Sequence, residues 1–225
     1  MKRNKLIEFD YLYAKSFKDY YFVGIDEVGR GSLAGPVIAC AFKWKKDLSL
    51  VMNKKNSSLL LNLNDSKQLT KTEREDLYWL LIKLGSYGLG YASVQEINKL
   101  NILNATFLAM KRAYENLLLS FSETKLESYV LIDGNKFNPY INSRQSFIIG
   151  GDSKSSVIAG ASIIAKVYRD MLMEKISKLD ACRKYNWGKN AGYGTLSHRK
   201  AIKKHGITAF HRKLFVRKTL DLKLV

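Results

Sequence analysis

The chain has 225 residues, 46% of them apolar, two prolines, and 38 Lys and Arg against 20 Asp and Glu, a formal net charge of +18. That length suffices to bury one good core, so a single domain with small appendages is expected. No run approaches the roughly 18–20 apolar residues of a membrane span, and the opening MKRNKLIEFDYLYAKSFKDYY lacks the apolar segment and cleavage site of a signal peptide; the sequence predicts a cytoplasmic protein with no membrane partner.

In chain order, residues 20–25 and 36–44 are apolar, β-branched runs that read as strands, joined through the glycine-rich turn 29–35 as a hairpin. Residues 53–64, rich in Asn, Ser and Leu, read as a loop. Thr70 and Glu73 have capping-box spacing and open a helix to about residue 84. Residues 87–94 alternate as a strand does. Ile97, Leu100, Leu103, Phe107, Met110, Tyr114 and Leu117 fall on helical spacing, which predicts one long amphipathic helix over 97–121. Residues 128–132 and 145–149 are strand-like, and 157–176 form a helix whose small residues, Ala159 to Ser162 and Ala165, allow close approach to a sheet. A glycine-rich turn and one or two short basic helices follow Asn186. The order predicts an α/β fold: a central mixed five-stranded sheet flanked by helices, its first strand buried on both sides, with a small C-terminal helical extension.

The positive charge is uneven. From Arg183 onward there are twelve Lys and Arg and one acid, Asp221, interleaved with Tyr185, Trp187, Tyr193, Phe210 and Phe215. Cations neutralise phosphates while rings stack on sugars or bases, so a nucleic-acid partner is indicated. Lysines outnumber arginines 28 to 10, which favours backbone attraction over base reading. A solvated basic tail is the bland alternative. Cys40 and Cys182 show neither metal spacing nor a disulfide framework.

Most acids sit among lysines where solvation suffices, and four do not. Asp26 and Glu27 follow Phe-Val-Gly-Ile, Asp133 follows Tyr-Val-Leu-Ile, and Asp152 follows Phe-Ile-Ile-Gly-Gly. Each ends an apolar strand, where open α/β sheets place their sites and where a charge is costly unless paired or bound to a metal. If the strand ends converge, four carboxylates repel one another unless hard divalent cations, Mg2+ or Mn2+, lie between them. Two such ions about 3.5–4 Å apart suit phosphodiester hydrolysis. Taken singly, Asp152 also fits a helix cap and Asp133-Gly134 a plain turn. A non-catalytic basic nucleic-acid binder would account for the charge but not for acids at strand ends.

GIDEVGRGSLAGPV (24–37) resembles the opening motif of the bacterial ribonuclease HII family, and the likeness continues through NDSKQLT, INKLNILNATFLAMKRA, LIDGN, GDSKSSVIAGASIIAKVYRD and GYGTLSHRKAIKKHGITAFHRKLF. The resemblance implies a ribonuclease H-like catalytic domain over 1–185 with a basic helical extension over 186–225 packed on it. It implies Mg2+- or Mn2+-dependent endonucleolytic cleavage of the RNA strand of RNA/DNA hybrids, and cutting 5′ to single ribonucleotides embedded in duplex DNA, leaving 5′-phosphate and 3′-hydroxyl ends. The implied biological role is ribonucleotide excision and RNA primer removal, by a monomer.

The family's metal ligands map onto Asp26, Glu27, Asp133 and Asp152. Gly29, Arg30 and Gly31 match the loop that approaches the ribose, whose 2′-hydroxyl distinguishes RNA from DNA. Tyr193 matches a tyrosine stacking on the deoxyribose 3′ of the ribonucleotide, although it also fits a core aromatic. Lys67, Lys166 and Arg169 fit phosphate contacts, support of the site from behind, or surface and helix-pairing roles, and Asp170 either orients a ligand or pairs with a nearby cation. Ser32 stands where the family usually has proline and Gly150 where it commonly has lysine. The ending LDLKLV lacks the glutamine-and-aromatic motif for the sliding clamp, which argues against clamp binding. Type III ribonuclease H shares the fold but carries a substantial extra N-terminal domain, and the short stretch before residue 20 makes it the weaker reading.

Overall fold

A computed structural model describes residues 4–45, 57–120 and 126–220. Five strands, β1 (Tyr20–Val28), β2 (Val37–Trp44), β3 (Gly85–Ala92), β4 (Glu127–Asp133) and β5 (Arg144–Ile148), form one sheet in the order β3-β2-β1-β4-β5. β2 pairs antiparallel with both β1 and β3. β4 pairs parallel with β1 and β5; the helix Val94–Leu118 carries the chain from edge strand β3 across the sheet to β4, and residues 134–143 link β4 to β5. β1 is therefore central. The mixed five-stranded sheet of an α/β fold, flanked by helices and followed by C-terminal helices, is as the sequence predicts.

Side-chain alternation along β1 sorts the core into two layers. Val23 and Ile25, with Val130 and Ile132 of β4, pack against α4 (Val94–Leu118). The other face carries Leu131, Cys40 and Phe42 beneath α5 (Ser156–Ser177), with Leu77 and Leu81 of α3 (Lys71–Leu84) and Leu6 and Ile7 of α1 (Lys5–Ser16) closing the layer. The small face of α5 lies so close that a Cβ on Gly24 would sit 2.2 Å from the Val157 carbonyl carbon. A third cluster joins Leu33, Ala34 and Met173 to Tyr185, Trp187, Ile202 and Val216. It binds α6 (Trp187–Asn190), α7 (Leu196–His205) and α8 (Lys213–Leu220) to the loop after β1.

Several elements differ from the sequence reading. α1 was not expected; Asn4 caps it by accepting from the Leu6 amide at 2.9 Å, and Asp10 on its inner face is 1% exposed. Within the stretch read as a loop, α2 (Ser57–Leu61) forms because Leu60 and Leu63 find the core, whereas 53–56 lie outside the described residues. The long helix α4 breaks at Asn101 (φ 66°, ψ 168°), whose side chain accepts from the Leu103 and Asn104 amides and so restarts the second half. Residue 121, its expected end, is not described. The predicted capping box of α3 is present at Thr70 and Glu73. Both cysteines are free and buried.

Candidate active site

The register sets the site. Ile25 pairs with Ile132, so one residue further Asp26 and Asp133 leave neighbouring parallel strands at the same level. Asp133 pairs with Ile148 at the end of β5, and the chain then turns through a short 3-10 turn, Gly151–Ser153, that carries Asp152 back toward them. The Gly151 amide donates to Asp133 Oδ1 at 2.7 Å and locks this return. Asp26, Asp133 and Asp152 each offer a carboxylate oxygen within 4.8 Å of the other two. The helix-cap alternative for Asp152 does not hold, because Ser155 caps α5.

Glu27 stands apart from the three. Successive residues of a strand face opposite ways, so with Asp26 turned toward α5 the Glu27 side chain emerges on the other face and pairs with Arg30 at 3.1 Å. Its amide donates to Asp26 Oδ1 at 2.7 Å.

Burial first, then the charges of Glu27 and Asp133, push the Asp26 carboxyl well above the usual range. Asp152 is raised by burial and by Asp133 and Asp65, against the opposing Lys67. Glu27 is raised by burial despite Arg30, with Asp133 adding to the rise. Each rise records crowded like charge in a desolvated place, the condition a multivalent cation relieves. An all-oxygen, all-carboxylate donor set fits a hard divalent ion.

Lys67, in the loop before α3, lies 3.4 Å from Asp152 Oδ2 and 3.8 Å from Asp65 Oδ1. Burial lowers its ammonium pKa, and Asp152, Asp65 and Asp26 outweigh that to raise it. Lys166 pairs with Asp170 at 2.8 Å. Its ammonium stands 5.8 Å from the Tyr193 ring centre, and the half-buried Tyr193 also receives the Arg169 guanidinium at 5.5 Å.

For Arg169, burial disfavours the phosphate contact and leaves the supporting role. Fully buried, it donates to the carbonyls of Pro36, Ala191 and Ala34 at 3.2, 2.9 and 3.2 Å. Each of its three nitrogens donates to a carbonyl, and with the side chain wholly covered no phosphate reaches it. It does pack under the glycine loop: Gly29 has φ 90°, and a Cβ there would lie 2.2 Å from Arg169 Nε. A Cβ on Gly31 would meet nothing within 4 Å, so that part of the loop faces open space. Ser32 is buried with its hydroxyl unpartnered.

Sequence reasoning overlooked four contributors. Asp65 lies inside a recognised motif but reads as a loop acid. Ser162, seen only as a small face residue, pairs with the Ser66 hydroxyl at 2.9 Å and opposes the rise of the Asp26 carboxyl. Arg212 and His198, counted with the basic tail, are both fully buried; only their coincidence with large aromatics hinted at it.

A crossover-linked mixed sheet with an acid cup at the ends of its parallel strands defines a protein of ribonuclease H fold with a carboxylate site. A family model described as Ribonuclease HII matches residues 23–218. The chain is 47% identical over 192 residues to the ribonuclease HII of Wolbachia pipientis subsp. Culex pipiens, covering 85% of this chain and 88% of that one. It is 46% identical over 213 residues to that of Fusobacterium nucleatum, covering 94% and 92%. The chain belongs to the ribonuclease HII family and is a nuclease of ribonuclease H type.

Solved structures with the same fold include ribonuclease HII of Archaeoglobus fulgidus in complex with PCNA (TM-score 0.64, 22% identity, 85% and 93% coverage). Another is Bst-RNase HIII in complex with Mn2+ (TM-score 0.67, 19% identity, 90% and 70% coverage). Among the described residues no helix is long and apolar enough to cross a membrane.

Proposed function

We propose that this protein is a cytoplasmic, monomeric endoribonuclease that hydrolyses the RNA strand of RNA/DNA hybrids and cuts 5′ to single ribonucleotides in duplex DNA. The products are 5′-phosphate and 3′-hydroxyl ends, and the role is ribonucleotide excision and primer removal. The observation that carries this reading is the convergence of Asp26, Asp133 and Asp152 within 4.8 Å in a chain of net charge +18. These three, with Glu27 across the strand, would hold Mg2+ or Mn2+, the ion manganese being the one found in the Bst-RNase HIII structure.

Two bound ions supply an activated water and charge neutralisation at the leaving 3′-oxygen. The remaining work belongs to the chain. Lys67, 76% exposed beside Asp152, offers an ammonium to the phosphate next to the cut, and Lys166, held by Asp170, offers a second. Gly31 leaves the space a ribose needs for contact with Arg30 and the loop backbone, and Tyr193 presents a ring to the sugar that follows. Residues 1–185 form the catalytic domain, and the basic segment 186–225 steers the duplex onto it. The sliding-clamp motif is absent from the ending LDLKLV, of which residues 221–225 lie outside the described residues.

A labelled duplex with one ribonucleotide tests this, assayed with Mg2+, Mn2+ or chelator. Cleavage 5′ to the ribonucleotide is expected with either metal and none with chelator. Asp133→Asn should bind the duplex as the wild type does and lose at least about 10³-fold in kcat, roughly 4 kcal/mol of transition-state stabilisation. Unchanged cleavage by that variant would remove the site assignment.

A further inference from the structure

The Tyr193 main chain is held at both ends. Its amide donates to Asn190 O at 2.8 Å, and its carbonyl accepts from the Thr195 amide at 2.8 Å and from His198 Nδ1 at 2.9 Å. The direction of the last bond follows from the far side of His198. Trp187 Nε1, which can only donate, lies 2.9 Å from His198 Nε2, so Nε2 accepts and the proton of the neutral ring sits on Nδ1. His211 Nδ1 accepts the Thr208 amide at 2.9 Å, so its proton sits on Nε2, 3.2 Å from His198 Nε2. Indole and second imidazole converge on one lone pair, and all three rings are buried.

Protonating either histidine would set N–H against N–H. Burial lowers both, His211 to about 4 with His198 adding to the fall. His211 also bridges Ala34 in antiparallel fashion. The next residue, Arg212, donates its amide to Leu33 O at 2.8 Å, its Nε to Gly35 O at 2.9 Å and a terminal nitrogen to Arg30 O at 2.8 Å. A path of hydrogen bonds, completed by the His211–Arg212 peptide link, thus runs from the Gly29 to Gly31 loop through Arg212, His211 and His198 to Tyr193.

We propose that His198 is a positioning residue: together with His211 it fixes the spacing between the glycine loop and Tyr193, and that spacing sets selectivity for an RNA-to-DNA junction. The inference rests on the reading above in which Tyr193 meets the deoxyribose. It goes further in placing the determinant of selectivity in a buried imidazole that touches no substrate.

Two near-isosteric variants separate positioning from mere core filling. An asparagine amide nitrogen stands close to where Nδ1 stands, and a glutamine one close to Nε2. In His198→Asn the tether to Tyr193 O survives; in His198→Gln it is lost. Steady-state kinetics on a single-ribonucleotide duplex and on a long hybrid give the preference as a ratio of kcat/KM values. His198→Asn should keep that ratio within about twofold, and His198→Gln should lower it about 10-fold through KM on the single-ribonucleotide duplex, with kcat on the long hybrid retained.

Tyr193→Ala is the control. If it lowers the ratio while the two His198 variants behave alike, His198 has no positioning role and the Tyr193 reading stands. If Tyr193→Ala leaves the ratio unchanged, both ideas fall. Should neither His198 variant fold, the imidazole nitrogen shifts of the wild type decide: a His198 ring protonated on Nε2 instead of Nδ1 overturns the proposal.

Discussion

The acid cup and the arginine frame behind the glycine loop are both buried charge, satisfied in opposite ways. Arg169 and Arg212 together make five hydrogen bonds to main-chain carbonyls, and among the described residues neither has a carboxylate partner in an ion pair. Burial and the neighbouring Arg169 charge pull the Arg212 guanidinium down to about 9, which still leaves it charged at neutral pH. Carbonyl dipoles of a fixed loop do the work of counter-ions there, with one terminal nitrogen of Arg212 left buried and unpartnered. In the cup, one amide reaches Asp26, one reaches Asp133, and the single exposed Lys67 reaches Asp152. The cup leaves its negative charge with few donors, whereas the frame spreads most of its positive charge over main-chain carbonyls.

Removing one charge from each region is the largest test of this contrast. Arg169→Met orphans three buried carbonyls and should lower unfolding free energy by about 3–5 kcal/mol in urea titrations, at about 1–3 kcal/mol per group with partial rehydration. Asp133→Asn relieves repulsion and should leave stability unchanged or raise it by on the order of 1 kcal/mol. Equal losses would erase the distinction.

Asp10 sharpens it, being a buried acid that serves structure. Its Oδ2 accepts from the Ser156 hydroxyl at 2.5 Å and the Val157 amide at 3.0 Å, capping α5 from α1. Burial raises its pKa from 3.8 to about 6 in spite of those bonds. A folded-state pKa above the unfolded one means that its stabilising contribution is complete below pH 3.8 and is lost as pH climbs through 6. Against Asp10→Asn, in which nothing titrates at this position, wild-type stability should fall by roughly 2 kcal/mol between pH 4 and pH 7. The other groups titrate in both proteins and cancel; a flat difference would mean that Asp10 does not titrate as a buried acid.

The smallest expected effect lies in the loop between the two regions. Gly29→Ala drives a Cβ into Arg169 at positive φ and should destabilise by on the order of 2 kcal/mol. Gly31→Ala, in open space, should change stability by less than about 0.5 kcal/mol while raising KM for ribonucleotide substrates. Matching thermal shifts for the two would refute the assignment of one glycine to the frame and the other to the substrate side.

What the chain announced on its own was anything carried by a local pattern: five strands from apolar runs or alternation, the capping box at Thr70, α5 from its small face, and four acids at odds with their apolar surroundings. Local pattern was silent on α1 and α2, whose few apolar residues are ordered by the core they meet, and on the break at Asn101, where a side chain outbids helical continuity for two amides. The separation of Glu27 from the other three acids follows from strand alternation, but only once the register shows which face Asp26 takes. The roles of Arg169, Arg212 and His198 were decided by tertiary structure alone. A cationic or imidazole side chain looks the same in sequence whether it faces solvent or carbonyls, and only long-range packing determines which of the two it meets.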